Sequence, residues 1–335
     1  MATSRPQVRI IATGGSISGV GPHRLDYLLY SELGQRLTIE QMLARVPEAQ
    51  EIADVRGEDL TSVGSTAIGP WEWLQMAQRI NQVCIEEPDL LGIVVTHGTA
   101  TLEETAYFLH LTVKSTVPVV VTGAMRPPTA ISADADLNLL DAIRIAACPD
   151  ARGRGVLTVL NNEIHSARDV TKSNTLRVET FQSPHLGLLG YADSDGQVLF
   201  YRAVTRRHTT ASPVDVRGIV ALPRVDIVYA YGGADGLLID AVRQQRSAGL
   251  VLAGFGSGTF PPPFLEAGKR AVDDGMPVVL ASRSTSGRVI MTPKKEEGGF
   301  IVADDLHPQK ARILLMLALT ISEDRKAIQE MFYTC

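Results

Sequence analysis

The sequence predicts an α/β protein of two domains, the first built on a mainly parallel, doubly wound sheet. Three observations lead there. Short apolar runs alternate with stretches at helical spacing, the pattern of strands joined by crossover helices. At 335 residues the chain exceeds what one hydrophobic core usually serves. Residues 202–223, which include Arg206-Arg207-His208 and Pro213, then lose this periodicity before a second strand-and-helix pattern begins.

The first strand is Val8-Arg9-Ile10-Ile11-Ala12, closed by Thr13-Gly14-Gly15-Ser16. Residues 18–34 are polar and glycine-containing and read as a long mobile loop or lid. Helices are expected over 38–46 and 70–83. A second buried strand, 90–95, runs into Thr96-His97-Gly98-Thr99. Thr101-Leu102-Glu103-Glu104 has the form of a capping box, with Thr101 at the N-cap and Glu104 reaching back. Leu102, Ala106, Leu109 and Val113 then recur at helical spacing. Residues 118–121 make a further strand ending in Thr122-Gly123-Ala124, after which Ser132 and Asp134 are placed to cap a helix. Another strand follows at 155–160. Beyond the unpatterned stretch lie strands at 225–229, 250–253 and 278–280, and a closing helix over 308–320. The expected organisation is a catalytic domain over 1–203, a linker over 204–223 and a second α/β domain over 224–335.

Composition excludes several classes. Hydrophobic residues make up 45% and charged residues 21%, too apolar for a disordered chain. A formal charge of −5 gives no electrostatic reason to expect nucleic acid or an anionic membrane as partner. No run of about 18 apolar residues offers a transmembrane helix, and the opening residues lead straight into a strand with no secretory signal. Cys84, Cys148 and Cys335 are few, scattered and without CxxC spacing, as expected for reduced thiols in a cytoplasmic protein. The seven histidines show no metal-ligand spacing, so no metal and no cofactor are expected.

The chemistry is carried by the two glycine turns. Each places a hydroxyl just past a buried strand, where an open α/β sheet has its ligand crevice. Glycine lets backbone N–H groups approach a ligand or a developing oxyanion. Gly14-Gly15-Ser16-Ile17-Ser18-Gly19 has the wrong spacing for a dinucleotide fingerprint, and neither a P-loop nor a G-x-S-x-G elbow occurs. Hydroxyls, amide nests and a lysine point to acyl transfer.

In combination, these stretches resemble the bacterial-type L-asparaginase/glutaminase family. The matching segments are Ile11-Ala12-Thr13-Gly14-Gly15-Ser16-Ile17, Thr96-His97-Gly98-Thr99 through Ala106, Thr122-Gly123-Ala124-Met125-Arg126-Pro127, Arg168-Asp169-Val170-Thr171-Lys172 and His307-Pro308-Gln309-Lys310-Ala311-Arg312. They fall in the family's order and span nearly the whole chain. The resemblance implies a larger N-terminal domain, a smaller C-terminal one, and a homotetramer with active sites between subunits. It also implies cofactor-free hydrolysis of a side-chain amide. It places the nucleophile at Ser16, its assisting tyrosine at Tyr30, and a second pair at Thr99 and Lys172. Substrate contacts are expected from Gly15, Gly64, Ser65, Thr66, Gly98, Ala100 and Ala124. Arg168 and Asp169 are expected to be a structural pair, and Trp71 and Trp73 core or interface anchors.

Two departures from the family's pattern bear on specificity. Ser16 stands where the family has threonine and loses the γ-methyl that stiffens χ1. Ala100 stands where the family has an aspartate that neighbours the lysine and grips the substrate's α-ammonium. Thr66 replaces a glutamine of that grip, and the glutamate supplied by a neighbouring subunit has only Glu296 and Glu297 as nearest candidates. Lacking these anions, Lys172 is expected to have a lowered pKa. The expected substrate is then a small anionic amide or ureido acid without an α-ammonium. The alternatives are an ordinary L-asparaginase/glutaminase, with Ala100 an active-site change, and a catalytically impaired binder of a small acid.

Overall fold

The structure is a computed structural model that describes residues 6–335; residues 1–5, where the lack of a secretory signal was read, lie outside the described residues. The chain divides into two units, one ending at Arg217 and one beginning at Gly218.

The first unit runs β1 (Gln7–Gly14), α1 (Tyr30–Leu33), α2 (Ile39–Arg45), α3 (Ala49–Ile52), β2 (Asp54–Val63), α4 (Pro70–Glu86), β3 (Leu90–Thr96), α5 (Leu102–Thr112), β4 (Val119–Thr122), α6 (Ala135–Ala147) and β5 (Val156–Leu160). Short strands follow: β6 (Glu163–Ser166), β7 (Thr171–Lys172), β8 (Phe181–Gln182), β9 (Gly190–Ala192) and β10 (Val198–Phe200). The main sheet has the order β10-β9-β6-β5-β4-β3-β1-β2. It is parallel from β2 to β5 and antiparallel from β5 to β10. β7 and β8 form a separate antiparallel pair.

The central strands are apolar throughout because both faces are covered. Val8, Ile10, Ala12, Val94 and Val120 share a core with Ile39, Met42, Leu139 and Ile143 of α2 and α6. The alternate residues Ile11, Ile93, Val95 and Val121 are buried on the opposite face. β2, absent from the sequence reading, is an edge strand. Its Asp54, Arg56, Glu58 and Asp59 suit a solvated edge and hide the strand from a search for apolar runs.

Local signals fared unevenly. Thr38 caps α2 in a full capping box with Gln41. Thr101 does not: its side chain makes no cap bond, and its hydroxyl donates to Ser65 O at 2.7 Å. Asp134 occupies the N-cap position of α6, yet its carboxylate accepts from the N–H groups of Met125 and Arg126, each at 2.9 Å. In both cases a tertiary partner outcompetes the local one. Residues 18–34 carry hydrogen bonds of their own, with Asp26 accepting from the N–H groups of Leu28, Leu29 and Tyr30, and Gly21 N–H donating to Thr129 Oγ1. The stretch read as a linker is divided. Val214 and Val216 are buried in the first unit, and Lys114 Nζ donates to Thr209 O and Ser212 O.

The second unit is smaller: β11 (Val225–Tyr229), α7 (Leu237–Gln244), β12 (Gly249–Gly254), α8 (Pro262–Asp273), β13 (Val278–Ser282), α9 (Pro293–Glu297), β14 (Ile301–Val302), α10 (Pro308–Ala318) and α11 (Arg325–Thr334). Its sheet, β11-β12-β13-β14, is parallel, and Val228, Leu252, Leu280, Phe264 and Val302 share its core.

Candidate active site

β1 and β3 lie side by side in parallel, so Ala12 pairs with Thr96 and both strands end at the same edge of the sheet. The two glycine turns therefore meet. Thr13 Oγ1 donates to Thr96 O at 2.8 Å. Gly15 has φ +84°, and a Cβ there would lie 2.2 Å from Gly98 Cα, so the turns touch backbone to backbone. The turn after β2 closes the group. Gly15 N–H donates to Val63 O at 3.1 Å, and Ala100 N–H donates to Ser65 Oγ at 3.2 Å.

A cavity of about 260 Å³ opens on these turns. Gly15, Ser16, Tyr30, Gly64, Ser65, Thr66, Gly98, Thr99 and Ala100 all line it. Nine of the eleven residues expected at the site are thereby brought together. Ser16 begins a single 3-10 turn, and its Oγ makes no hydrogen bond within the described protein. The ring of Tyr30, on α1, stands against Gly19, where a Cβ would come within 2.7 Å of it. Lys172 reaches in from β7, and its Nζ donates to Thr99 Oγ1 at 2.8 Å. Burial pushes the Lys172 pKa down, opposed by the negative charge of Glu103. The direction matches the expectation, with burial as its main cause. Ala124 is fully buried and does not line the cavity. Its neighbour Gly123 is held by Asn138 Nδ2, which donates to the Gly123 carbonyl.

His97 lies inside the second turn as scaffolding. Trp73 Nε1 donates to Thr105 Oγ1 at 2.8 Å, so the threonine proton goes to His97 Nε2 at 2.9 Å. Nδ1 then carries the ring proton and donates to Gly98 O at 2.8 Å. Burial lowers the His97 pKa to about 4 and keeps the ring neutral. Trp73 is a core anchor, whereas Trp71 is 61% exposed. Arg168 and Asp169 pair with each other at 3.4 Å.

Ser31, Gln35 and Arg36 line the cavity without having been singled out from the sequence. They sit in an irregular segment where nothing in the spacing marks them. Arg36 Nη1 donates weakly to Gly34 O and Ser62 O, which holds a cation beside the cavity. None of the lining residues is acidic. In the second unit, Ser257 Oγ donates to Arg288 O and accepts from Ile290 N–H, and Glu296 and Glu297 lie on α9.

The sequence pattern described as Asparaginase, N-terminal, matches residues 7–206, and that of the Glutaminase/Asparaginase C-terminal domain matches residues 224–332. This chain belongs to the asparaginase family. It is 43% identical over 329 residues to L-asparaginase 2 of Bacillus subtilis, covering 98% of this chain and 86% of that one. It is 39% identical over 334 residues to the glutaminase-asparaginase of Pseudomonas fluorescens, covering 99% and 91%. The crystal structure of a probable cytoplasmic L-asparaginase from Campylobacter jejuni superposes with a TM-score of 0.93 at 39% identity, covering 98% of this chain and all of that one. The two-domain asparaginase fold is thus established. Among the described residues no helix is long and apolar enough to cross a membrane.

Proposed function

We propose that this asparaginase-family enzyme hydrolyses a small linear amide or ureido acid that carries a carboxylate but no α-ammonium. One observation supports this above the others: the cavity is lined by Ala100 and Thr66 and by no acidic side chain, while Arg36 and Lys172 supply positive charge at and beside it. An ammonium buried there without an anion would cost several kcal/mol. Even ~3 kcal/mol corresponds to roughly a hundredfold preference for the substrate lacking it. The Ser65 turn and Arg36 suit the substrate's carboxylate.

In this reading Ser16 Oγ attacks the amide carbon, and the carbonyl oxygen becomes an oxyanion beside the backbone N–H groups of the second turn. Tyr30 takes part in moving the proton from Ser16 to the leaving nitrogen. The Thr99–Lys172 pair serves as the second proton-handling unit, because a lysine of lowered pKa is closer to releasing its proton near neutral pH. Ammonia leaves, and water hydrolyses the acyl-serine. No cofactor enters any step. The family resemblance further supports a homotetramer, and Cys84 and Cys148, reduced thiols, support a cytoplasmic setting.

Ammonia release from L-asparagine, L-glutamine, succinamate, malonamate and ureidomalonate tests the substrate reading. Succinamate or a ureido acid should exceed L-asparagine by about a hundredfold in kcat/KM. Turnover of L-asparagine near 10⁴ M⁻¹s⁻¹ or above would instead mark an ordinary asparaginase. Tight binding of one acid with no turnover of any compound would mark a binding protein.

A further inference from the structure

From Pro22 to Leu29 every residue is exposed except Asp26, which is only 4% exposed. A carboxylate taken out of water is costly unless its oxygens are hydrogen-bonded. Backbone amides meet that need here. Oδ1 accepts from the N–H groups of Leu28 and Leu29 at 3.2 and 2.8 Å, and Oδ2 accepts from Tyr30 N–H at 2.8 Å. Gly21 lies against the same carboxylate, where a Cβ would come within 2.8 Å of Oδ2. Nothing in the sequence marks Asp26, because an aspartate in a polar loop looks solvated.

These bonds fix where Tyr30 begins. Tyr30 opens α1, its ring stands against Gly19, and it lines the cavity together with Ser16. The stem of the loop is paired: Leu37 N–H donates to Ser18 O at 2.7 Å, and Val20 N–H to Gln35 O at 3.0 Å. The far end is pinned to residues 126–131, which follow the turn after β4. Gly21 N–H donates to Thr129 Oγ1 at 2.9 Å, Ile131 N–H to Arg24 O at 2.8 Å, and Tyr27 O–H to Ile131 O at 3.2 Å. Between stem and tip, α1 is a single turn of four residues, none of them buried. So short a helix has little stability of its own. The carboxylate of Asp26 is what ties its first residue down.

We propose that Asp26 is a positioning residue: its carboxylate, set between Gly21 and the first amides of α1, holds Tyr30 at the cavity wall. This rests on the reading of Tyr30 as a group that moves the Ser16 proton, and it is independent of which amide is hydrolysed. Asp26 does not line the cavity and acts only through the backbone of Tyr30. A displacement of about 1 Å in a group that must meet a reacting atom can cost roughly a hundredfold in rate. The carboxylate also has a specific advantage over its amide. Asparagine offers one accepting oxygen instead of two, so it can serve Leu28 and Leu29 or Tyr30, but not all three.

The test is a double-mutant cycle on the full-length protein, read by ammonia release from succinamate and from L-asparagine. Tyr30→Phe should lower kcat by about 10²-fold or more. Asp26→Ala should lower kcat by about ten- to a hundredfold with a smaller change in KM, and Asp26→Asn should fall between it and the wild type. In the Tyr30→Phe background, Asp26→Ala should cost less than about twofold further, because the group it positions is gone. A merely structural Asp26 would cost the same factor in both backgrounds, and that result overturns the proposal. A loss in Tyr30→Phe with none in Asp26→Ala overturns the positioning role alone. An unchanged kcat in Tyr30→Phe overturns it together with the reading of Tyr30 on which it rests. Should Asp26→Ala fail to fold, the cycle is run with Asp26→Asn. Fluorine NMR of 3-fluorotyrosine placed at position 30 gives a readout without substrate, and its signal should shift in Asp26→Asn. An unchanged signal overturns the proposal even where neither amide is turned over.

Discussion

At the scale of single residues, the site turns on two hydroxyls in different electrostatic company. Thr99 has a lysine at 2.8 Å, whereas Ser16 has no partner within the described protein and opens onto the cavity. A free hydroxyl at the cavity wall suits a nucleophile that must reach an incoming carbonyl, and the paired one suits proton management. Ser16→Ala should therefore lower kcat by about 10⁴-fold with little change in the thermal midpoint, since the side chain anchors nothing. Mass spectrometry of rapidly quenched wild-type enzyme should find the acyl group on the peptide containing Ser16. An adduct on the peptide of Thr99 would exchange the two roles. Ser16 and Thr99 were legible from their turns. Arg36 was not, because an arginine in an irregular loop looks the same whether it faces solvent or a cavity.

At the scale of elements, turns and helices are coupled through side chains that sequence rules assign locally. Thr101 and Asp134 both occupy N-cap positions, and both spend their oxygens elsewhere: Thr101 on the Ser65 turn, Asp134 on the backbone after Gly123-Ala124. The Trp73–Thr105–His97 chain likewise joins α4, α5 and the turn after β3. Its pH dependence follows from the sign of the shift. His97 is neutral when folded down to about pH 4 but titrates near its ordinary 6.5 when unfolded. The stabilisation is thus present above pH 6.5 and is lost as pH falls through 4, amounting to ~3 kcal/mol. Urea unfolding at several pH values should show the wild type losing about that much more than His97→Gln over this interval. Parallel slopes for the two proteins would clear His97 of the effect.

At the scale of the whole molecule, two units, each with its own sheet and its own core, make up the chain. The cavity belongs entirely to the first unit. Ser257, Glu296 and Glu297 of the second unit are not among the residues that line it. Light scattering on the purified protein should give about four times the 36.1 kDa chain mass. A monomer that retained full activity would remove the need for a neighbouring subunit's residues.

Read alone, the residues determined the α/β class and the two glycine turns, and they marked the hydroxyls and the lysine of the candidate site. These are legible because strands buried on both faces leave apolar runs, and because glycine turns at strand ends need particular residues at particular places. Only the tertiary structure decided that β2 is an edge strand, that Thr101 and Asp134 serve other elements, and that Arg36 lines the cavity. The contacts that build the site join residues far apart in the chain, Thr13 to Thr96 across 83 positions and Thr99 to Lys172 across 73, and distance along the chain carries no information about distance through space.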